Sequence, residues 1–312
     1  MKAFVFPGQG AQTIGMGQAV AQAYPAAQAV FDEVDEALGE KLSALIWEGT
    51  PETLTLTENA QPALMATSIA VFRALEAEGL PQDAASFVAG HSLGEYSALC
   101  AAGAITLADT ARLLRLRGRA MQAAVPVGEG AMAAILGLDF DAVQAVATEA
   151  SIQGVCEAAN DNDPAQVVVS GQKAAVEAAV ALAQERGAKR AVMLPVSAPF
   201  HCAMMEPAAR AMAQALDSVD IAEPRLPVVT NVDAHGHKDP ATIRSLLVDQ
   251  VTGTVRWRES VAWMAEQGVT DIWELGAGKA LSGMVRRIDR SIKTRAIGAP
   301  EDIVAAVAPA GE

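Results

Sequence analysis

The sequence predicts an α/β fold, a parallel-sheet core carrying an inserted ferredoxin-like βαββαβ subdomain. Three observations predict it. Short apolar runs alternate with long helical patterns in the first and last thirds of the chain, and a strand–helix–strand–strand–helix–strand order fills the middle. The 312 residues are 51% hydrophobic and 19% charged, enough to bury a large core.

In chain order, a strand over 2–6 precedes helices reaching Gly79, then a strand over 86–89 and helices over 95–102 and 106–124. After Pro126-Val127-Gly128-Glu129-Gly130 come a strand over 131–137, a helix over 140–150, strands over 155–160 and 166–170, a helix over 174–186 and a strand over 190–196. That order is the ferredoxin-like one. Alternation resumes after Pro199 with a helix over 201–219, a strand over 226–232, helices over 241–251 and 256–266, a strand over 271–275, a helix over 280–289, a strand over 294–297 and a last helix. The expected division is a core of 1–126 with 197–312, and an inserted subdomain of 127–196.

Composition excludes several classes. The formal net charge of −14 repels nucleic acid, and no basic tract is interleaved with aromatics. No stretch approaches the roughly 18 apolar residues of a membrane-spanning helix, and the start over 1–6 breaks at Pro7-Gly8-Gln9-Gly10, leaving neither a basic start with a long apolar core nor a cleavage site, so no export signal is expected. Cys100, Cys156 and Cys202 are odd in number and form no C-x-x-C pair, which suits a reducing compartment, so the expected location is the cytoplasm.

Gly90-His91-Ser92-Leu93-Gly94 matches G-x-S-x-G between a strand and a helix, the arrangement of hydrolase-like cores in which a sharp turn exposes a nucleophilic hydroxyl. The competing reading makes Ser92 a helix N-cap, because Ser92-x-x-Glu95 also fits a capping box. Glycines on both sides favour the nucleophile.

Four histidines can serve as base. His91 adjoins Ser92, where neighbouring side chains diverge, and His235 and His237 sit in a polar turn that reads as exposed rather than as a metal site. His201 remains. Opening the predicted helix, its ring is expected to stay neutral beside the helix N-terminus and able to take a proton. No acidic residue stands out as its orienter, so a backbone carbonyl is expected.

Of the arginines on the predicted helix over 106–124, Arg117 lies in the apolar face, with Thr110, Leu113, Leu114, Ala120, Met121 and Ala124 within about 60° at about 100° per residue. Arg112, Arg115 and Arg119 point the other way and read as solvated. A guanidinium aimed inward needs an anion, either an internal carboxylate or a ligand. The nearby serine favours the ligand, a carboxylated acyl group.

These residues resemble a known family over the whole chain, the malonyl-CoA:acyl carrier protein transacylases of fatty acid synthesis. The carriers are Phe6-Pro7-Gly8-Gln9-Gly10-Ala11-Gln12, Gln61-Pro62-Ala63, Gly90-His91-Ser92-Leu93-Gly94-Glu95, Arg117-Gly118, Ser197-Ala198-Pro199-Phe200-His201 and Gln250-Val251. The resemblance implies Ser92 as nucleophile, His201 as base oriented by the main-chain carbonyl of Gln250, and Arg117 as the clamp on the malonyl carboxylate. It further implies an oxyanion hole from the backbone N–H groups of Gln9 and Leu93, and Phe200 as a bulky residue crowding an α-methyl. The implied reaction is ping-pong transfer from malonyl-CoA to the phosphopantetheine thiol of acyl carrier protein, with no metal or bound cofactor.

Carrier proteins of this kind are acidic, so an acidic enzyme needs a local basic patch. Arg286, Arg287, Arg290, Lys293 and Arg295 form the densest cluster, equally readable as a solvated face. Two rival functions share the motif. A serine thioesterase or other hydrolase would place an acid and then a late histidine after the serine, and a non-catalytic scaffold would not need Ser92, His201 and Arg117 together. An acyltransferase serving polyketide synthesis carries the same residues.

Overall fold

The computed structural model describes residues 1–81 and 83–308, so the last four residues of the predicted core segment lie outside the described ones. Among the described residues ten strands run in chain order: β1 (Lys2–Phe6), β2 (Phe87–Gly90), β3 (Gly130–Leu136), β4 (Cys156–Asp163), β5 (Gln166–Gln172), β6 (Arg190–Met193), β7 (Val228–Val229), β8 (Gly236–His237), β9 (Asp271–Leu275) and β10 (Lys293–Ile297).

The larger sheet has the order β10-β9-β1-β2-β7-β8, parallel throughout except for the β7–β8 pair. Alternation along its strands sends residues to two apolar layers. Phe4, Phe6, Val88 and Leu275 face the helix Thr57–Ala77 and its neighbours, while Ala3, Val5, Ala89 and Ile272 face Trp257, Val261 and Val285. Loops leaving the carboxyl ends of β1, β2 and β7 therefore meet along one edge, where parallel sheets place their sites. Gln9, Ser92 and Asn231 come from those three loops.

The smaller sheet is antiparallel, with the order β4-β5-β3-β6 expected of a ferredoxin-like unit. Ala133, Ile135, Val167 and Val169 pack on its two helices, Phe140–Ala150 and Lys173–Glu185. Met132, Ala134 and Val168 face the core instead.

One edge of this sheet is sewn to the core. Val255 N–H donates to Ala159 O and Asp161 N–H to Val255 O, both at 2.9 Å. Between β-bulges, β4 buries Asp161 against Arg258, whose Nε donates at 2.9 and 3.0 Å, and Asp163 against Arg287 Nε at 2.7 Å.

Several expected bounds are corrected. The helix expected over 201–219 starts at Glu206, after a 3₁₀ turn at Ala203–Met205, because Pro207 sets its first turn and His201 has φ 59°. The strand expected over 226–232 is reduced to Val228–Val229, with β8 added beside it. The strand expected over 190–196 stops at Met193, two residues before Pro195, which cannot donate to a ladder. That expected over 155–160 runs on to Asp163.

Arg115 is also corrected. It is buried, paired with Glu40 and donating to Asn59 and to the Glu58 carbonyl, whereas Arg112 and Arg119 are solvent-exposed. A helical wheel sees one helix, and the solvated side of this one is partly covered by the start of Thr57–Ala77. Among the described residues no helix is long and apolar enough to cross a membrane.

Candidate active site

The turn after β2 is built by what glycine lacks. A Cβ on Gly90 would lie 1.9 Å from the Gly94 carbonyl group, and one on Gly94 would lie 2.3 Å from the Phe6 carbonyl oxygen. Between them Ser92 takes φ 54°, a left-handed conformation costing about 1–2 kcal/mol in a residue with a side chain. The Ser92 N–H donates to Asn231 Oδ1 at 2.7 Å, and Asn231 Nδ2 donates to Gly90 O at 2.7 Å, so one asparagine pins both sides of the turn. The capping box is not formed. The helix Gly94–Ala101 has no side-chain cap, and the Ser92 hydroxyl points to His201. Gly94→Ala is expected to lower the melting temperature by at least about 5 °C, read by circular dichroism, because no flexible side chain can yield to the new methyl.

Ser92 Oγ lies 2.7 Å from His201 Nε2, and His201 Nδ1 lies 2.9 Å from the Gln250 carbonyl oxygen. A carbonyl can only accept, so Nδ1 carries the proton and Nε2 presents a lone pair to the hydroxyl. The neutral ring has a different origin from the helix end expected. His201 sits in a loop, and burial first, then the charge of Arg117, push it down to about 3. His91 turns away, its Nε2 2.8 Å from Asn162 Oδ1. His237 pairs with Asp233 at 2.6 Å, and among the described residues no group of three or more ligand-type side chains is set to hold a metal.

Arg117 is buried beneath the hydroxyl. Its Nη2 donates to Ser92 Oγ at 3.2 Å and to Gln250 Oε1 at 2.8 Å, and its Nη1 donates to Gln61 Oε1 at 2.8 Å. The guanidinium carbon stands 5.7 Å from the Tyr96 ring centroid. Its partners are amides, a hydroxyl and a ring, and among the described residues no carboxylate is in contact. Glu95 is a nearby acid on the preceding helix, pushed up by burial to about 7 despite hydrogen bonds from Gln250 and Asn231 that lower it.

A pocket of about 520 Å³ opens over these groups, between the core and the Met132, Ala134 and Val168 face of the smaller sheet. Gln9, Leu93, Met121 and Phe200 line its wall with Ser92 and His201. The backbone N–H groups of Gln9 and Leu93 donate to no other group among the described residues. A Cβ on Gly8 would lie 2.7 Å from His91 O, which explains the glycine that brings the Gln9 loop against the turn.

The acyl transferase domain model matches residues 3–293. Curated relatives called malonyl CoA-acyl carrier protein transacylase are 49% identical over 306 residues in Bacillus subtilis, covering 98% of this chain and 96% of the relative. The Escherichia coli K12 relative of that name is 46% identical, with 98% of each covered.

The chain belongs to the malonyl CoA-acyl carrier protein transacylase family.

Solved acyl transferases agree in fold. An acyl-carrier-protein-S-malonyltransferase from Bartonella henselae superposes with a TM-score of 0.96 at 55% identity, covering 98% of both chains. A malonyl-transacylase solved in complex with a type II PKS acyl-carrier protein gives 0.95 at 42%, again covering 98% of both. Around Ser92 stand further side chains whose part no sequence motif announces: Asn231, the Glu95 carboxylate, and the amides of Gln61 and Gln250. The expected strand over 226–232 hid Asn231, and only the early end of β7 at Val229 puts it at the carboxyl edge of the sheet.

The basic cluster is spread over a helix, the turn that follows it and a strand. Arg286 and Arg287 lie on the helix Ala280–Ile288, whose Ala280, Leu281 and Met284 line the pocket, and Arg287 is engaged by Asp163. Arg290 and Lys293 lie near the amino end of β10, where Lys293 is level with Asp271 and so at the sheet edge remote from Ser92. Arg295 stacks 5.2 Å from the Trp273 ring.

Proposed function

We propose that this chain transfers the malonyl group of malonyl-CoA to the phosphopantetheine thiol of acyl carrier protein through a malonyl-Ser92 intermediate. The observation that carries this reading is a buried arginine that no carboxylate among the described residues contacts, 3.2 Å from a hydroxyl that is itself 2.7 Å from a neutral histidine. A neutral acyl chain would give that charge no partner, whereas a malonyl carboxylate would.

In the first half-reaction His201 Nε2 takes the Ser92 proton as Oγ bonds to the thioester carbonyl carbon. The C–S bond then breaks, and the imidazolium returns the proton to the CoA thiolate. In the second half His201 deprotonates the carrier thiol, sulfur attacks the ester, and Ser92 leaves with the proton. The N–H groups of Gln9 and Leu93 would stabilise the oxyanion in both halves. The Gln250 carbonyl would hold the base in its reactive tautomer. Phe200 would crowd an α-methyl on the acyl chain, a discrimination of about 1–3 kcal/mol.

Side chains and backbone suffice for every step, so no metal or bound cofactor is invoked. The reading places the enzyme in the cytoplasm without nucleic-acid or membrane partners. Its units are residues 1–126 with 197–312, which carry Ser92, His201 and Arg117, and residues 127–196, which roof the pocket.

Intact-protein mass spectrometry after mixing with malonyl-CoA tests the intermediate. One malonyl adduct is expected, absent from Ser92→Ala. Malonate release at one rate with and without carrier protein would instead favour a hydrolase. Docking is proposed at Arg286, Arg287, Arg290, Lys293 and Arg295, with Arg286 and Arg287 nearest the pocket. Arg286→Glu is the cleaner test, because Arg287 also neutralises buried Asp163. It is expected to raise KM for carrier protein at least about fivefold, with the larger effect at low salt, and to leave KM for malonyl-CoA in place. Equal rises in both would remove the patch.

A further inference from the structure

Glu95 follows the reactive turn by three residues, and its carboxylate is wholly buried. One oxygen, Oε2, takes two hydrogen bonds, from Gln250 Nε2 at 2.8 Å and from the Asn231 backbone N–H at 2.9 Å. The other, Oε1, has no partner among the described residues. Both donors lead into the site.

The Gln250 branch decides an orientation. A primary amide has a donating end and an accepting end, and only its neighbours determine which way it points. Glu95 and the Ser92 carbonyl, 3.0 Å away, both accept from Nε2, so Oε1 is turned to Arg117 and receives Nη2 at 2.8 Å. Reversed, the amide would set its hydrogens against those of the guanidinium and lose both bonds at the other end. The Asn231 branch reaches the turn, since that residue's side chain holds the Ser92 N–H and the Gly90 carbonyl.

Interposing the amide also has an electrostatic consequence. A carboxylate in direct contact with Arg117 would form a closed ion pair and compete with an incoming anion. With Gln250 between them, Glu95 fixes the direction of the guanidinium while its contact positions keep neutral partners. Gln61 Oε1 does the same on the opposite nitrogen.

We propose that Glu95 is the positioning residue for acyl-group selection, acting through the Gln250 side chain to hold Arg117 in the orientation that receives a carboxylate-bearing acyl group. This rests on the malonyl-transfer reading above. It also gives Gln250 a second task, separate from the carbonyl that orients His201.

The test is kcat/KM for malonyl-CoA and acetyl-CoA in wild type, Glu95→Ala, Glu95→Gln and Gln250→Met. In Glu95→Ala the malonyl-to-acetyl ratio is expected to fall at least about tenfold, mainly through KM for malonyl-CoA. Glu95→Gln keeps an acceptor oxygen at the same reach and should recover the ratio to within about threefold of wild type. Equal losses for both thioesters in Glu95→Ala, or no recovery in Glu95→Gln, would overturn the proposal.

Should circular dichroism show that Glu95→Ala does not fold, Gln250→Met decides, because it keeps the main-chain carbonyl and removes the relay. A ratio at least about tenfold lower supports the role, and an unchanged ratio overturns it. Wild type that takes no malonyl group on Ser92 would refute the transfer reading itself. Wild type that does, with unchanged ratios in the variants, refutes the role of Glu95 alone.

Discussion

Replacing His201 by alanine is expected to lower kcat/KM for malonyl transfer by about 10³–10⁵-fold, read by transfer of radiolabelled malonyl to carrier protein. Among the described residues no second base is in place to take over. The ring is the group 2.7 Å from the Ser92 hydroxyl, and His91 is committed to Asn162. The same substitution should alter the acid response of stability. His201 is held down to about 3 by burial and by Arg117, so in the folded chain it stays neutral where the unfolded chain takes up a proton. Folding therefore loses stability as pH falls from the free histidine value of about 6.5 toward 3, at up to about 1.4 kcal/mol per pH unit. In His201→Ala that contribution is absent, and denaturant midpoints should fall less steeply across this window.

Arg117→Ala should reduce kcat/KM for malonyl-CoA by about 10²–10³-fold and for acetyl-CoA far less, since a charge-assisted contact is lost only to the anionic acyl group. The two thioesters should be compared at the same carrier-protein concentration. A second readout separates this from general damage. The guanidinium is the second cause holding His201 down, so its removal lets the histidine rise and should move the acid limb of the pH profile upward. A variant slow toward both thioesters, with an unmoved limb, would remove Arg117 from acyl selection.

Local chemistry made the fold and the convergence of Ser92, His201 and Arg117 legible. Gly90 and Gly94 around Ser92 announced a turn that only missing side chains permit, and the helical angle of Arg117 announced a charge pointing inward. The short apolar runs of β1 and β9 were readable because each strand is buried on both faces. What stayed hidden depends on contacts between distant segments. Arg115 looked solvated until residues 40, 58 and 59 were folded over it, and Glu95 looked like half of a cap until Asn231 and Gln250 approached. The start of the helix after His201 was missed for a related reason. Met204, Met205 and Ala208 have helical spacing, but the backbone at His201 is bent to aim a ring at Ser92, and no propensity records that requirement.

Ser92 and His201 share one further trait, since both adopt positive φ, 54° and 59°. Each is a conformation that an isolated segment would abandon, held here by the surrounding packing at about 1–2 kcal/mol apiece. Transplanting the pair onto a foreign scaffold therefore demands more than matching a 2.7 Å separation. A recipient must also impose two left-handed kinks on residues that resist them. Designed mimics that reproduce the side chains on relaxed backbone will aim the hydroxyl and the ring along the wrong lines.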